Sequence, residues 1–197
     1  VAEAFCEACD ILENAENFDL AVHDLIKKYA TEHQRIIFNG NGYSDEWVAE
    51  AEKRGLPNIK SMVEAIPQYI APENVKAFEK FGVFTKAELE SRVEIEYETY
   101  SKTINIEARA MIDIAGKQII PAVIKYTTVL ANSLTAVKTA CADADVSVQA
   151  ELLTETSDLL SDAKTALAKL TDVTDKAGEM EEGAVQAAYY RDEVKAA

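Results

Sequence analysis

The sequence predicts an all-α fold: an elongated helical bundle with a long kinked helix over about 85–141 and an antiparallel return helix over about 148–177. Three observations lead there. Glycine and proline number only 7 and 4 among 197 residues, too few for an all-β or loop-rich chain. Much of the 48% hydrophobic content is alanine, the best helix former. From Leu89 onward, apolar or small residues recur at steps of three and four, the period of one helix face.

Taken in order, residues 1–13 read as a first helix and 18–37 as a second, with Leu20, Leu25 and Ile26 as its apolar face. Asn39-Gly40-Asn41-Gly42 breaks the pattern. Ser44 is placed to cap a short helix starting Asp45-Glu46-Trp47, whose two carboxylates suit a helix N-terminus. Gly55 and Pro57 end it. Asn58 is the expected cap of the next helix, which should stop near Ala65 because Pro67 disfavours helix at the residue before it. Pro72 opens another short helix and Gly82 closes it.

Thr85-Lys86-Ala87-Glu88 has the form of a capping box. The stripe that follows is Leu89, Val93, Tyr97, Tyr100, Ile104, Ala108, Met111 and Ala115, continuing through Val123, Leu130, Leu134 and Val137. Val93-Glu94-Ile95-Glu96-Tyr97 alternates like a strand, but the helical stripe outlasts it by several turns. Pro121 should kink the helix, by removing a hydrogen bond and crowding the preceding turn. At about 1.5 Å per residue the arm would reach roughly 85 Å, a length that needs packing partners. After a turn at Cys141–Asp145, the return helix carries a heptad seam: Leu152, Thr156, Leu159, Ala163, Ala166, Leu170, Val173 and Ala177. A break at Gly178–Gly183 precedes a last helix near Ala184. The expected organisation is helices over 1–38, a Gly-rich turn with short helices over 39–84, and a helical hairpin or bundle over 85–197. Both termini read as helix interiors, so the chain is expected to be a segment of something longer.

Charge narrows the function. Lys plus Arg total 20 against 35 Asp plus Glu, a formal charge of -15. Such a surface repels phosphate backbones and anionic membranes. No apolar run approaches the roughly 20 residues of a membrane span, and no signal peptide is visible. Three cysteines, an odd number, make no disulfide framework and suit a reducing cytoplasm.

Four groups of residues invite a chemical reading. Cys6-Glu7-Ala8-Cys9 with His23 and His33 has a first gap that fits a zinc site and a last gap that is too long for one. The simpler expectation is two cysteines packed on a helix. His23, beside Lys27 and Lys28, could accept a phosphoryl group on a bundle, but reads better as a surface histidine. Glu88, Glu90, Glu94, Glu96 and Glu98 form an acidic face without the Glu-x-x-His pairs of a di-metal bundle. Asn39-Gly40-Asn41-Gly42-Tyr43-Ser44 leads into a helix N-terminus, where an anion could sit. Asp45 and Glu46 already occupy that electropositive turn, so a tight turn held by Trp47 is expected, with Asn41 and the glycines at positive φ. The residues assign no catalytic, cofactor-binding or metal-binding position.

Two stretches carry a resemblance. Arg35-Ile36-Ile37-Phe38-Asn39-Gly40-Asn41-Gly42-Tyr43-Ser44-Asp45-Glu46-Trp47-Val48, running on to Arg54-Gly55-Leu56-Pro57-Asn58, resembles a signature of type III glutamine synthetases. Tyr100-Ser101-Lys102-Thr103-Ile104-Asn105-Ile106-Glu107-Ala108, followed by Ile120-Pro121-Ala122, resembles another. The similarity spans essentially the whole chain and places it in the family's C-terminal region. It implies a parent enzyme that joins ammonia to glutamate with ATP and a divalent metal such as Mg, through γ-glutamyl phosphate. It implies a cytoplasmic homo-oligomer of stacked rings, a dodecamer, with the catalytic core of the same chain and neighbouring subunits as partners. Residues 1–38 would then adjoin that core, and the hairpin would stop short of the family's usual C-terminus. No residue here matches the family's ATP, glutamate or metal ligands, so the segment itself is expected to be structural and inactive. The alternative is a free-standing helical interaction module with no catalytic activity.

Overall fold

A computed structural model describes residues 1–197, and it is helical throughout, with no strand. Its helices are α1 (Ala2–Glu13), α2 (Phe18–Glu32), α3 (Asp45–Lys53), α4 (Met62–Ala65), α5 (Pro72–Lys80), α6 (Lys86–Ile114), α7 (Ile120–Ala140), α8 (Ser147–Gly178) and α9 (Ala184–Tyr189). Residues Val1–Ile59 form one compact unit and Lys60–Ala197 another. The short helices beyond residue 60 pack on α6 through Ile66, which is fully buried with Val63, Val93 and Tyr97.

In the first unit α1 pairs with α2, and Lys28 Nζ reaches Glu7 Oε1 at 3.0 Å. Asn17 caps α2 by accepting from the Leu20 amide. The expected helix over 18–37 ends early: α2 stops at Glu32 and a separate 3₁₀ turn spans Gln34–Ile36. Of its expected apolar face only Leu25 is buried, while Leu20 and Ile26 stay exposed, because α1 covers only part of the helix surface.

In the second unit, Ser61 rather than Asn58 caps α4, accepting from the Glu64 amide. The α-helix stops at Ala65 as expected, but Ile66 keeps a helical conformation in front of Pro67. Ile66 holds φ -53 and ψ -46 and a 3₁₀ turn runs Ile66–Ile70. Burial of Ile66 in the core outweighs the local cost of helix before proline. The capping box of α6 is complete: Thr85 accepts from the Glu88 amide, and Glu88 accepts from the Thr85 amide at 2.8 Å.

α6 and α7 form one continuous helix, Lys86–Ala140, interrupted only by a π-helical turn at Ala115–Ile119. The Ile120 amide donates to the Ala115 carbonyl, five residues back. That wide turn immediately precedes Pro121 and changes the register. The inward stripe runs Ala108, Ile112, Ala115 and then Ile120, Val123, Thr127 and Leu130, with one five-residue step across the π turn. Met111, expected inside, is 61% exposed. A single inserted residue thus lets both halves of the arm face α8.

α8 returns antiparallel along the arm. Lys138 Nζ closes the connecting turn by donating to the carbonyls of Ala142 and Ala144 at 3.1 and 2.9 Å. Asp145 Oδ1 accepts from the Ser147 amide at 2.9 Å. Near its C-terminal end α8 buries Leu170, Val173, Thr174 and Ala177 against Ala108, Tyr190 and Val194. Farther out the inward positions are Leu153, Thr156, Leu160 and Leu167, while Leu152 and Leu159 are 38% and 60% exposed. Two adjacent apolar seams share this helix, and the arm covers only one of them.

By length and composition, Lys86–Ala140 contains a window apolar enough to cross a membrane. Within the fold that window supplies Leu130 to the contact with α8, with Val123, Leu134 and Val137 half-buried beside it.

Candidate functional site

The stretch around the Gly-rich turn is held by ring stacking and one arginine. Phe38 stacks on Trp47 with centroids 4.2 Å apart. Arg54 lies over the other ring system of this pair, 5.6 Å from the Trp47 centroid. Its Nε donates to Glu50 Oε1 at 2.7 Å, and its Nη1 donates to the Ile37 carbonyl at 2.9 Å. The same nitrogen reaches the carbonyls of Gln34 and Arg35 at 3.4 and 3.5 Å. A guanidinium is suited to this, having five donors in a fixed fork. It satisfies carbonyls at the end of the 3₁₀ turn and ties them to α3.

The turn itself is closed locally. Asn41 Oδ1 accepts from the Tyr43 amide at 3.0 Å. Ser44 Oγ accepts from the Trp47 amide at 3.3 Å, capping α3. The Ser44 hydroxyl also holds the Glu46 carboxyl below its ordinary pKa. The expectation of positive φ at Asn41 and the glycines is not met. Positive φ occurs only at Gly55, Gly82 and Gly183. Gly40 is required for a different reason: a Cβ there would lie 2.6 Å from Phe38 Cζ, inside the stacked ring. The turn is permitted by space, not by left-handed backbone.

The other sequence candidates are dispersed. Cys6 and Cys9 are exposed on α1. His23 faces Asp24 on the surface at 3.4 Å, and His33 leans on Tyr29 with centroids 6.0 Å apart. Glu88 is engaged by its capping box, Glu90 by Lys86 and Glu98 by Lys102, each pair along one helix face. No three His, Cys, Asp or Glu side chains converge as metal ligands would. The donors present therefore do not fit the divalent metal that the resemblance implies for a parent enzyme. The acidic first turn of α3 does not fit a nucleotide phosphate either.

Sequence reasoning missed one apolar groove. It holds about 380 Å³ between α6, α8 and the C-terminal residues, lined by Ile104, Ala108, Met111, Ala163, Leu167 and Val194. Its walls are mostly aliphatic, with Glu107 and Lys195 also among the lining residues, which suits helix packing.

Comparison with known proteins gives the family. Residues 21–138 match the model of the glutamine synthetase C-terminal domain. A glutamine synthetase of Butyrivibrio fibrisolvens is 36% identical over 175 residues, 89% of this chain and 25% of that protein. A type-3 glutamine synthetase of Dictyostelium discoideum is 36% identical over 117 residues, 59% of this chain and 16% of that protein. A glutamine synthetase of Bacteroides fragilis is 29% identical over 189 residues, 94% of this chain and 26% of that protein. The chain spans about a quarter or less of the length of these relatives. On the matched domain and these relatives, the chain belongs to the glutamine synthetase C-terminal domain family.

Proposed function

We propose that this chain is the C-terminal accessory and assembly segment of a type III glutamine synthetase and catalyses nothing by itself. The parent enzyme would ligate ammonia to glutamate in the cytoplasm, using ATP and Mg through γ-glutamyl phosphate. Its chemistry would lie in the remainder of the chain. The observation that carries the reading is how the polar side chains are used. Arg54, Glu88, Lys138 and Gln186 cap helices or close turns, and the groove between α6, α8 and the C-terminal residues is mostly aliphatic. A helical arm of this kind supplies packing surface, and packing surface joins subunits.

The test uses the full-length parent with and without residues 85–197. Deletion should change the size or stability of the assembly and leave the KM for glutamate and ATP within a few-fold. An unchanged ring with a lost substrate affinity would reverse the assignment. Purified alone, the segment should form no glutamine from glutamate, ammonia and MgATP.

A further inference from the structure

The α7–α8 hairpin leaves one face uncovered. Helical geometry at 100° per residue puts Ala122, Tyr126, Val129 and Ala136 of α7 on the same side as Val148, Leu152 and Leu159 of α8. Val129, Val148 and Leu159 are 62%, 63% and 60% exposed. This is the second apolar seam of the pair, the one the arm itself does not fill.

Charge specifies what can cover it. Between Ile114 and Ala142 the chain has Lys117, Lys125 and Lys138 and no acid. Between Ser147 and Asp162 it has Glu151, Glu155, Asp158 and Asp162 and no base. Lys117 is paired with Asp113, and Lys138 is spent on the turn carbonyls. Lys125 and the four acids of α8 have no partner within the chain. The hairpin thus carries one free lysine on α7 and four free acids on α8 beside a shared apolar seam, so the lysine of one copy can meet an acid of another.

We propose that this face binds a second copy of itself, through a two-fold axis running along the hairpin. This rests on the assembly reading and names its contact. Of the two symmetric ways to oppose the faces, an axis across the hairpin stacks α8 on α8 and sets four acids against four. An axis along it lays α7 of each copy over α8 of the other. Lys125 lies as many residues before the middle of the Cys141–Val146 turn as Asp162 lies after it. In the second arrangement the two therefore meet at one level along the rim. Both hairpin tips then lie at the same end, bringing the exposed Cys141 of each copy to that end.

Sedimentation of the 197-residue chain tests this, with Cys6 and Cys9 changed to Ser so that Cys141 reports alone. The chain should be a dimer, and a bis-maleimide should cross-link it through Cys141. Val129→Glu should abolish both while leaving the helical circular dichroism intact. Lys125→Glu should weaken dimerisation about ten-fold at low salt, and adding Asp162→Lys should restore it. A chain that remains monomeric at high concentration, or that leaves solution only with lipid vesicles, overturns the proposal. So does a dimer indifferent to Val129→Glu, or a double charge swap that fails to restore. Failure of the assembly reading is separate, since it shows as an intact full-length ring after deletion of residues 85–197.

Discussion

Phe38 and Trp47 stack with ring centroids 4.2 Å apart, and Gly40 is the residue whose missing side chain leaves room for that contact. The Gly-rich turn is thus coupled to α3 through one aromatic pair. An offset aromatic pair contributes about 0.5–1.5 kcal/mol beyond its buried area. Phe38→Ala should therefore cost about 1–3 kcal/mol in denaturant unfolding of this unit. Trp47 is the only tryptophan, so the same change should shift its emission to the red.

Gly40 and Gly42 should respond differently. A methyl at Gly40 meets Phe38 at 2.6 Å, whereas one at Gly42 meets nothing within 4 Å. Neither has positive φ. Gly40→Ala should displace the ring and red-shift tryptophan fluorescence. Gly42→Ala should leave the spectrum unchanged and stability within about 0.5 kcal/mol. Equal responses would show that the turn is limited by backbone conformation instead.

Pro121 should be nearly silent. A proline inside a regular helix costs about 3 kcal/mol, but here the π turn at Ala115–Ile119 precedes it and widens the backbone at that point. The turn also supplies the five-residue step that keeps Ala115 and Ile120 on the inward stripe. Pro121→Ala should thus retain the π turn and change stability by less than about 1 kcal/mol. A gain near the full proline penalty would mean that proline alone caused the irregularity.

Gln186 should matter more than the ion pair nearby. Its buried Nε2 donates to the carbonyls of Ala177 and Met180 at 3.0 and 3.3 Å, closing the end of α8. Gln186→Leu leaves those carbonyls short of a donor and should cost about 1–3 kcal/mol. Arg109 and Asp175 also join α6 to α8, at 2.6 Å, but in solvent. Asp175→Ala should cost under about 1 kcal/mol and less in high salt. Thermal unfolding of the two variants decides the order.

Acid should weaken the fold and mild alkali should not. The Thr85 amide holds Glu88 below its ordinary pKa, the Arg54 hydrogen bond lowers Glu50, and the Ser147 amide lowers Asp145. A depressed folded pKa contributes stability above the unfolded value, lost as pH falls through the folded one. Lys102 and Lys176 are raised by hydrogen bonds to Glu98 and Asp172, so their contribution persists until pH exceeds the ordinary lysine range. The urea midpoint should be flat between about pH 5 and 9 and drop below about pH 4. A midpoint that falls between pH 7 and 5 would contradict this.

The sequence by itself determined most of the helices and many of their ends, though not the end of α2 or the cap of α4. Thr85 and Ser44 as caps, Gly55 and Gly82 as stops, and the arm and return helix within a residue or two of their bounds all follow from local rules. Capping and termination involve neighbours three or four residues apart, so the chain states them directly. The candidate site was legible to a similar depth: Trp47 was singled out for the turn, but Phe38 and Arg54 were not. Only tertiary structure decided those partners, since Arg54 reaches carbonyls of Gln34, Arg35 and Ile37, about twenty residues back. It also chose between two equally apolar seams on α8, burying Leu160 and Leu167 more than Leu152 and Leu159. The π turn belongs to the same class. A step of five is unfavourable locally and is adopted because one continuous partner, α8, must meet both halves of a single long helix.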